Sequence, residues 1–294
     1  MSRRAACVAG ALLALTAGCE RSRPRTDAPP TLTVIPPPSA SVDVPVAPPV
    51  TPEQIAASNN PSGLPAYGGP FGAIEGTITY KGPAPEAEPQ ELPIPRRCAR
   101  AADMYAKRFR VAANGALGDA VVAATGFERY VEPAAEAVTT KIEGCAYSSR
   151  TLVLTFGQRL DIVNQDDQPY VPHLWGAPAR ALMVAVPHGA PVKLYPSTIG
   201  RFKLADDMRR TWMEAELLVL KFPTHAVTDG AGRYRIERVP PGEARVGAWH
   251  PKLGASLAPQ ATRDVKVVAG QTTKLDLEIA IAPSPSASAS AKRP

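Results

Sequence analysis

The stretch HAVTDGAGRYRIERVPPGEARVGAWH, residues 225–250, decides the fold. A turn at Asp229–Gly232 leads into an alternating segment that places Tyr234, Ile236 and Arg238 on one side. A second turn at 240–242 leads into another alternating segment. Glycine supplies the positive φ that such turns need, and proline fixes φ at their first corner. Period-two alternation between turns predicts a half-buried β-hairpin.

The pattern T-D-x-x-G-x-Y-x-I-x-x-V-P-P-G, residues 228–242, resembles the carboxypeptidase-regulatory-like (transthyretin-like) β-sandwich family. The resemblance implies a small sandwich of seven or eight strands with no catalytic machinery of its own.

The N-terminal residues 1–18 have the features of an export signal. Arg3 and Arg4 precede an apolar stretch, 5–17, that is too short to span a bilayer as a mature helix. The segment LTAGC, ending at Cys19, resembles the bacterial lipobox, which implies that this thiol is diacylated. The alternative is an ordinary signal peptide cleaved near Gly18.

The residue after the lipid site bears on localisation. In the Gram-negative pattern, aspartate at this place retains a lipoprotein in the inner membrane. Here it is Glu20, which favours a lipid-anchored location at the outer membrane, facing either the periplasm or the cell surface.

Composition changes divide the chain into five parts. The signal (1–18) is followed by a proline-rich tether (19–70) without a sustained helical or strand period, which predicts an extended, disordered segment. A short Ser/Ala/Pro tail at 283–294 is also predicted to be disordered. Between them we expect a cupredoxin-like region (71–222), whose first strands can pair with the C-terminal sandwich, and regulatory-like strands (223–282).

The region between tether and tail is predicted to be all-β, with two packed sandwich units or one elaborated unit. The only helix expected is 97–108. The long apolar segment 212–222 is predicted to be a strand because it leads directly into the decisive stretch. The other predicted strands are 71–80, 108–113, 120–125, 151–156, 159–164, 181–186, 192–195, 201–204, 263–268 and 272–281.

The number of cysteines predicts one disulfide. Cys7 leaves with the signal and Cys19 carries the lipid, so the mature fold keeps Cys98 and Cys145. An even count in an oxidising compartment favours a bridge between them. The alternative is two unpaired, buried thiols.

A second pattern begins where Asn164-Gln165-Asp166 ends a strand; His173 follows, and Trp212-Met213 comes later. This layout is similar to cupredoxin-like domains of bacterial exported proteins, which are often fused to the regulatory-like sandwich. The same fusion has residues similar to those at 76–82, 98, 145, 228–229 and 249–250 of this chain. The resemblance implies a copper site built from histidine, cysteine and methionine.

The copper-ligand positions of that pattern are changed. Tyr170 stands at the first histidine, while Asp207 and Arg210 stand at the Cys-x-x-His that should precede Met213. A blue-copper site needs a thiolate, and no cysteine follows Cys145. We therefore expect a degenerate site that clusters without metal, with Met213 in the core. Asp207 and Arg210 either form an ion pair or remain two solvated loop charges.

Three other kinds of site are conceivable from the residue types: an atypical copper site, a calcium site and a sugar-stacking surface. An atypical copper site from His173, Met183, Met208 and Met213 is conceivable, because imidazole and thioether suit copper. The acid pairs 166–167 and 206–207 are interpreted as solvated turn residues rather than a calcium site. Trp175, in the loop 172–176, is the exposed candidate for stacking on a sugar, whereas Trp249 is expected in the core.

Charge excludes a nucleic-acid role. The net charge is +6, but residues 71–281 hold 26 basic and 23 acidic residues with no basic run interleaved with aromatics. No nucleophile, phosphate-binding or dinucleotide motif occurs, so the sequence favours an exported hydrolase subunit least of three possible functions. The sequence favours a non-catalytic envelope lipoprotein that binds a glycan, peptide or protein partner, without cofactor. A copper-binding or electron-transfer protein is the alternative.

Overall fold

The computed structural model describes residues 50–83, 85, 92–177, 182–208, 210–254 and 256–281. Cys19, the signal and the tail beyond residue 281 lie outside these residues. Two helices are described, α1 (Pro52–Asn59) and α2 (Ala99–Tyr105). The strands are β1 (Gly72–Lys81), β2 (Val121–Thr125), β3 (Ala137–Glu143), β4 (Ala146–Tyr147), β5 (Thr151–Thr155), β6 (Arg159–Asn164), β7 (Pro172–Trp175), β8 (Val192–Leu194), β9 (Gly200–Asp206), β10 (Glu214–Leu220), β11 (His225–Val227), β12 (Arg233–Val239), β13 (Gly242–Trp249), β14 (Ala261–Val267), β15 (Thr272–Lys274) and β16 (Leu277–Ala280).

The strands form two sandwiches, so the all-β class predicted from the sequence is confirmed. In the first sandwich, the sheet β5-β10-β9-β7 faces the sheet β4-β3-β6-β8. In the second, β12-β1-β15, with β16 also on β1, faces β11-β2-β13-β14. Each sandwich has its own core because alternate residues of both its sheets point inward. Leu154, Ile162, Leu204 and Leu217 are fully buried in the first core, and Ile74, Ile236 and Val246 in the second.

The first sandwich is inserted into the second. β1 and β2 pair with strands of the C-terminal sandwich, whereas β3 to β10 form the first sandwich, and the chain returns at β11. The pairing of early strands with the C-terminal sandwich was allowed for in the sequence analysis. Residues 72–125 contribute both of these strands to the second sandwich, and the first sandwich begins at β3.

The decisive stretch does not fold as a hairpin. β12 pairs with β1, while β13 pairs with β2 and β14, so the two strands belong to facing sheets. The turn at 240–242 carries the chain from one sheet to the other. The alternation correctly predicted that Tyr234 and Ile236 are buried. It did not identify their strand partners, because a hairpin and a corner between two sheets have the same alternating pattern.

A bulge ends β12. Arg238 has φ of 56°, and the pairing of β12 with β1 shifts register between Gly72 and Ile74. Val239 therefore takes the buried place and Arg238 turns outward onto the ring of Phe71. The assignment of Arg238 to the face of Tyr234 was wrong for this reason.

Outer faces of the two sandwiches pack against each other, and we call this contact the seam. Val121, Ala123 and Trp249 of the second sandwich meet Val153, Leu218 and Leu220 of the first. These six side chains are at most 6% exposed, so the two sandwiches share a small third core.

Part of the segment predicted to be tether is folded, because residues 51–59 pack onto the first sandwich. Thr51 and Gln54 form a capping box at the start of α1. The Asn59 side chain donates to Phe156 O at 2.8 Å, and Ile55 covers Gly157. Gly157 has φ of 97°, and a Cβ there would meet Ile55 at 2.8 Å, so glycine is required on both counts.

Several local predictions differ from the structure. The helix expected at 97–108 is α2, and the segment 212–222 contains strand β10 as expected. Residues 108–113 and 182–186 are not strands but make single bridges, Val111 to Leu117 and Tyr170 to Ala185. Ala181 lies outside the described residues, and β3, β4, β7 and β11 were not predicted. None of the helices among the described residues has the length and apolarity to cross a membrane.

Candidate functional site

The disulfide predicted from the cysteine count is confirmed. Cys98 and Cys145 are bonded, with Cα atoms 5.3 Å apart, and both are buried. The bridge joins the start of α2 to the turn between β3 and β4. Trp212 closes over this turn and donates from Nε1 to Cys145 O at 3.3 Å.

The same turn binds the carboxylate of Asp166, which follows β6. The backbone N–H groups of Gly144 and Cys145 donate to its two oxygens at 2.7 and 2.8 Å, and the Tyr170 hydroxyl donates at 2.5 Å. Burial acts to raise the pKa of Asp166, but these three hydrogen bonds and the nearby charge of Arg210 lower it below its ordinary value. Asp166 is thus a structural acceptor, and its interpretation as a solvated turn acid was wrong.

Arg210 lies over the ring of Tyr170 and binds a second carboxylate. Its guanidinium carbon is 4.2 Å from the ring centroid, and its Nη1 donates to Asp206 at 2.7 Å. Asp206, whose side chain is fully buried, also accepts from Val171 N at 2.7 Å. Arg210 is therefore a partly buried cation that stacks on the aromatic ring of Tyr170 and binds the carboxylate of Asp206. A planar guanidinium can make both contacts at once.

Gln168 connects the two carboxylates. Its Nε2 donates to the Tyr170 hydroxyl at 2.8 Å, and its Oε1 accepts from Arg210 Nη2 at 3.1 Å. We call Asp166, Gln168, Tyr170, Asp206 and Arg210 the Arg210 cluster. Burial and the neighbouring Asp166 raise the pKa of Tyr170, so its hydroxyl remains a donor at neutral pH.

Asp207 and Arg210 do not pair with each other, and the Arg210 side chain is mostly buried, whereas Asp207 is exposed. Asp207 binds His173, with Oδ2 2.7 Å from Nδ1, while Arg210 binds Asp206. The alternation of β9 explains why Asp206 rather than Asp207 binds Arg210. Phe202, Leu204 and Asp206 point inward, and Asp207 follows on the outside. The alternative of an Asp207–Arg210 ion pair was therefore wrong, and the alternative of two solvated charges was wrong for Arg210.

The residues at the copper positions do not fit copper. The guanidinium of Arg210 packs on Tyr170, and the two sulfurs of Cys98 and Cys145 are bonded to each other. Within the described ranges, no three His, Cys, Asp or Glu side chains converge as metal ligands. Met213 is fully buried in the first core and Met183 packs against that core, whereas Met208 is 41% exposed.

Beside the cluster lies an aromatic platform formed by Trp175 and His173. The two ring centroids are 4.5 Å apart with planes at 32°, and Trp175 is 44% exposed. Because Asp207 holds His173 from the side, the platform is fixed in orientation. Sequence reasoning identified Trp175, but not His173 as its support.

The platform borders a depression of about 340 Å³. Its polar rim contains an exposed ion pair, Lys203 to Glu214 at 3.0 Å, together with Asp207 and Thr211. An exposed aromatic face beside mixed donors and acceptors suits a neutral polyhydroxylated ligand.

Comparison with protein-family models and with curated proteins yields no match. Solved structures include similar chains. A Cu-containing nitrite reductase (NirK) from Thermus scotoductus SA-01 is 16% identical, with a TM-score of 0.26 over 32% of this chain and 24% of that chain. Amicyanin from Paracoccus versutus is 17% identical, with a TM-score of 0.26 over 30% of this chain and 84% of that one. At these values the likenesses say nothing about activity, and this chain spans about a quarter of the nitrite reductase.

Proposed function

We propose that this protein is a non-catalytic lipoprotein of the cell envelope whose β-sandwich body binds a glycan. The observation that carries the proposal is the platform of Trp175 on His173 at the edge of a polar depression. A sugar ring presents an apolar C–H face that can cover the indole, while its hydroxyl groups exchange hydrogen bonds with the rim.

The rim supplies both donors and acceptors within reach of such a ligand. Lys203 donates, Asp207 and Glu214 accept, and the Thr211 hydroxyl does either. The Lys203–Glu214 pair is about half exposed, so reorienting it toward a ligand costs little. Peptide or protein partners remain the other outcomes of a binding screen.

Electron transfer is the less favoured function. The Arg210 cluster satisfies its own charges, since Arg210 binds Asp206 and Asp166 is held by three donors. A metal ion placed there would meet a guanidinium cation rather than a thiolate. We therefore propose that this end of the first sandwich serves recognition.

The anchor is part of the proposal. Diacylated Cys19 and the proline-rich segment after it would hold the body at a distance from the outer membrane. This part depends on the sequence alone. Its test is whether the mature protein partitions into detergent and the Cys19→Ala protein does not.

Replacing Trp175 with alanine is expected to weaken glycan binding about tenfold or more, because the stacking surface is lost. The probes are soluble peptidoglycan fragments and cell-surface polysaccharides, immobilised as an array and then titrated singly against the full chain. Tyr195→Ala is the matched control, since Tyr195 is 69% exposed but lies outside the depression. The proposal fails if no glycan binds, or if Trp175→Ala and Tyr195→Ala bind alike.

A further inference from the structure

A second cavity, the seam pocket, opens where the two sandwiches meet and has a volume of about 330 Å³. β2 and β13, the end of β10 and the loop after β13 form its walls. The apolar wall residues include Ile199, Leu220, Phe222, Trp249 and Leu257. A cavity of this size and character is within the range of small-molecule sites.

The polar groups of the seam pocket favour an anion. Lys221 and Arg245 line it, and no aspartate or glutamate does so within the described part of the chain. Arg245 is paired with Asp264 at 2.8 Å, whereas exposed Lys221 has no ion-pair partner among the described residues. Lys221 is therefore the cation available to a ligand.

The indole of Trp249 belongs to the apolar lining of the pocket. The residue is 3% exposed, and its Nε1 is buried with no hydrogen-bond partner among the described residues. Because this N–H has almost no accessible surface, a ligand in the pocket contacts the indole as an apolar surface, and Lys221 supplies the polar contact.

We propose that the seam pocket binds an aliphatic carboxylate. Its chain packs against Phe222, Trp249 and Leu257, and its carboxylate binds Lys221 at the mouth. Since this contact requires an anion, the same site disfavours an ammonium head group. This site is separate from the Trp175 platform and does not depend on the glycan proposal.

The test compares three probes of equal chain length, octanoate, octan-1-ol and octylamine, by calorimetric titration of the full chain. Octanoate is expected to bind most tightly and octylamine least. Lys221→Glu should weaken octanoate about fivefold and reverse its order with octylamine, since one exposed charge contact changes sign. Thr262→Trp, at an exposed position on the rim, should abolish binding of all three by filling the mouth.

Two controls separate the pocket from general effects. Lys193→Glu makes the same charge change at an exposed site on β8 and should leave octanoate affinity unchanged. Trp175→Ala should also leave it unchanged. Absence of octanoate binding overturns the proposal. So does binding that survives Thr262→Trp, or equal affinity for octanoate and octanol.

Discussion

Removing the Cys98–Cys145 disulfide by the double change Cys98→Ala/Cys145→Ala is expected to lower the free energy of unfolding by about 4 kcal/mol. The cysteines are separated by 47 residues, and closing a loop of that length restricts the unfolded chain by about this amount. The readout is urea denaturation of the full chain, comparing midpoint and slope.

Reduction of the disulfide provides the matched control. Dithiothreitol should lower the stability of the wild-type chain by a similar amount and leave the double variant unchanged. A loss below about 1 kcal/mol would mean that the bridge is not what holds α2 to the turn between β3 and β4.

The second large effect is expected from Arg210→Met, at about 3 kcal/mol. This change leaves the fully buried carboxylate of Asp206 without its cation, and unpaired buried charges are costly. The double change Arg210→Met/Asp206→Asn should recover part of the loss because it removes the stranded charge. The measurement is again urea denaturation at neutral pH.

Lys203→Met is the surface control for this prediction. Lys203 also binds a carboxylate, that of Glu214, but both side chains are about half exposed, so its loss should stay below about 1 kcal/mol. Equal losses for Arg210→Met and Lys203→Met would contradict the buried role assigned to Arg210.

The sequence predicts the class of fold because alternation identifies inward positions. It does not identify sheet partners, which explains why β12 and β13 were interpreted as a hairpin. The sheet in which a strand lies depends on distant pairings such as β1 with β12, and no local pattern encodes these. The insertion of the first sandwich between strands of the second could not be predicted for the same reason.

Some missed features did have local signals. Thr51-Pro52-Glu53-Gln54 is a capping box with proline at the first helical position, which indicates α1 inside the supposed tether. Asp206 continues the inward phase of Phe202 and Leu204, which predicts a buried carboxylate in need of a partner. The first signal was missed because the proline-rich composition of residues 19–70 predicted a disordered tether. The second was missed because Asp206 and Asp207 were interpreted together as solvated turn residues.

Other parts of the site required coordinates. That Arg210 covers Tyr170 and binds Asp206 depends on tertiary contacts that bring Tyr170 next to a residue distant from it in the sequence. The backing of Trp175 by His173 depends on the contact of His173 with Asp207, for which the sequence offered either Arg210 or solvent as the partner. Residue types predicted that no copper site forms at these positions, whereas the hydrogen-bonded Arg210 cluster found there required the three-dimensional structure.

The most direct test of the central claim, that the Arg210 cluster satisfies its own charges and does not bind copper, is a copper-binding measurement on the purified mature protein. The protein is dialysed with Cu²⁺, freed of loose metal, and examined by metal analysis and visible absorption. We predict no stoichiometric copper and no thiolate-to-copper absorption. One retained copper ion per chain, lost in His173→Ala, would contradict the account.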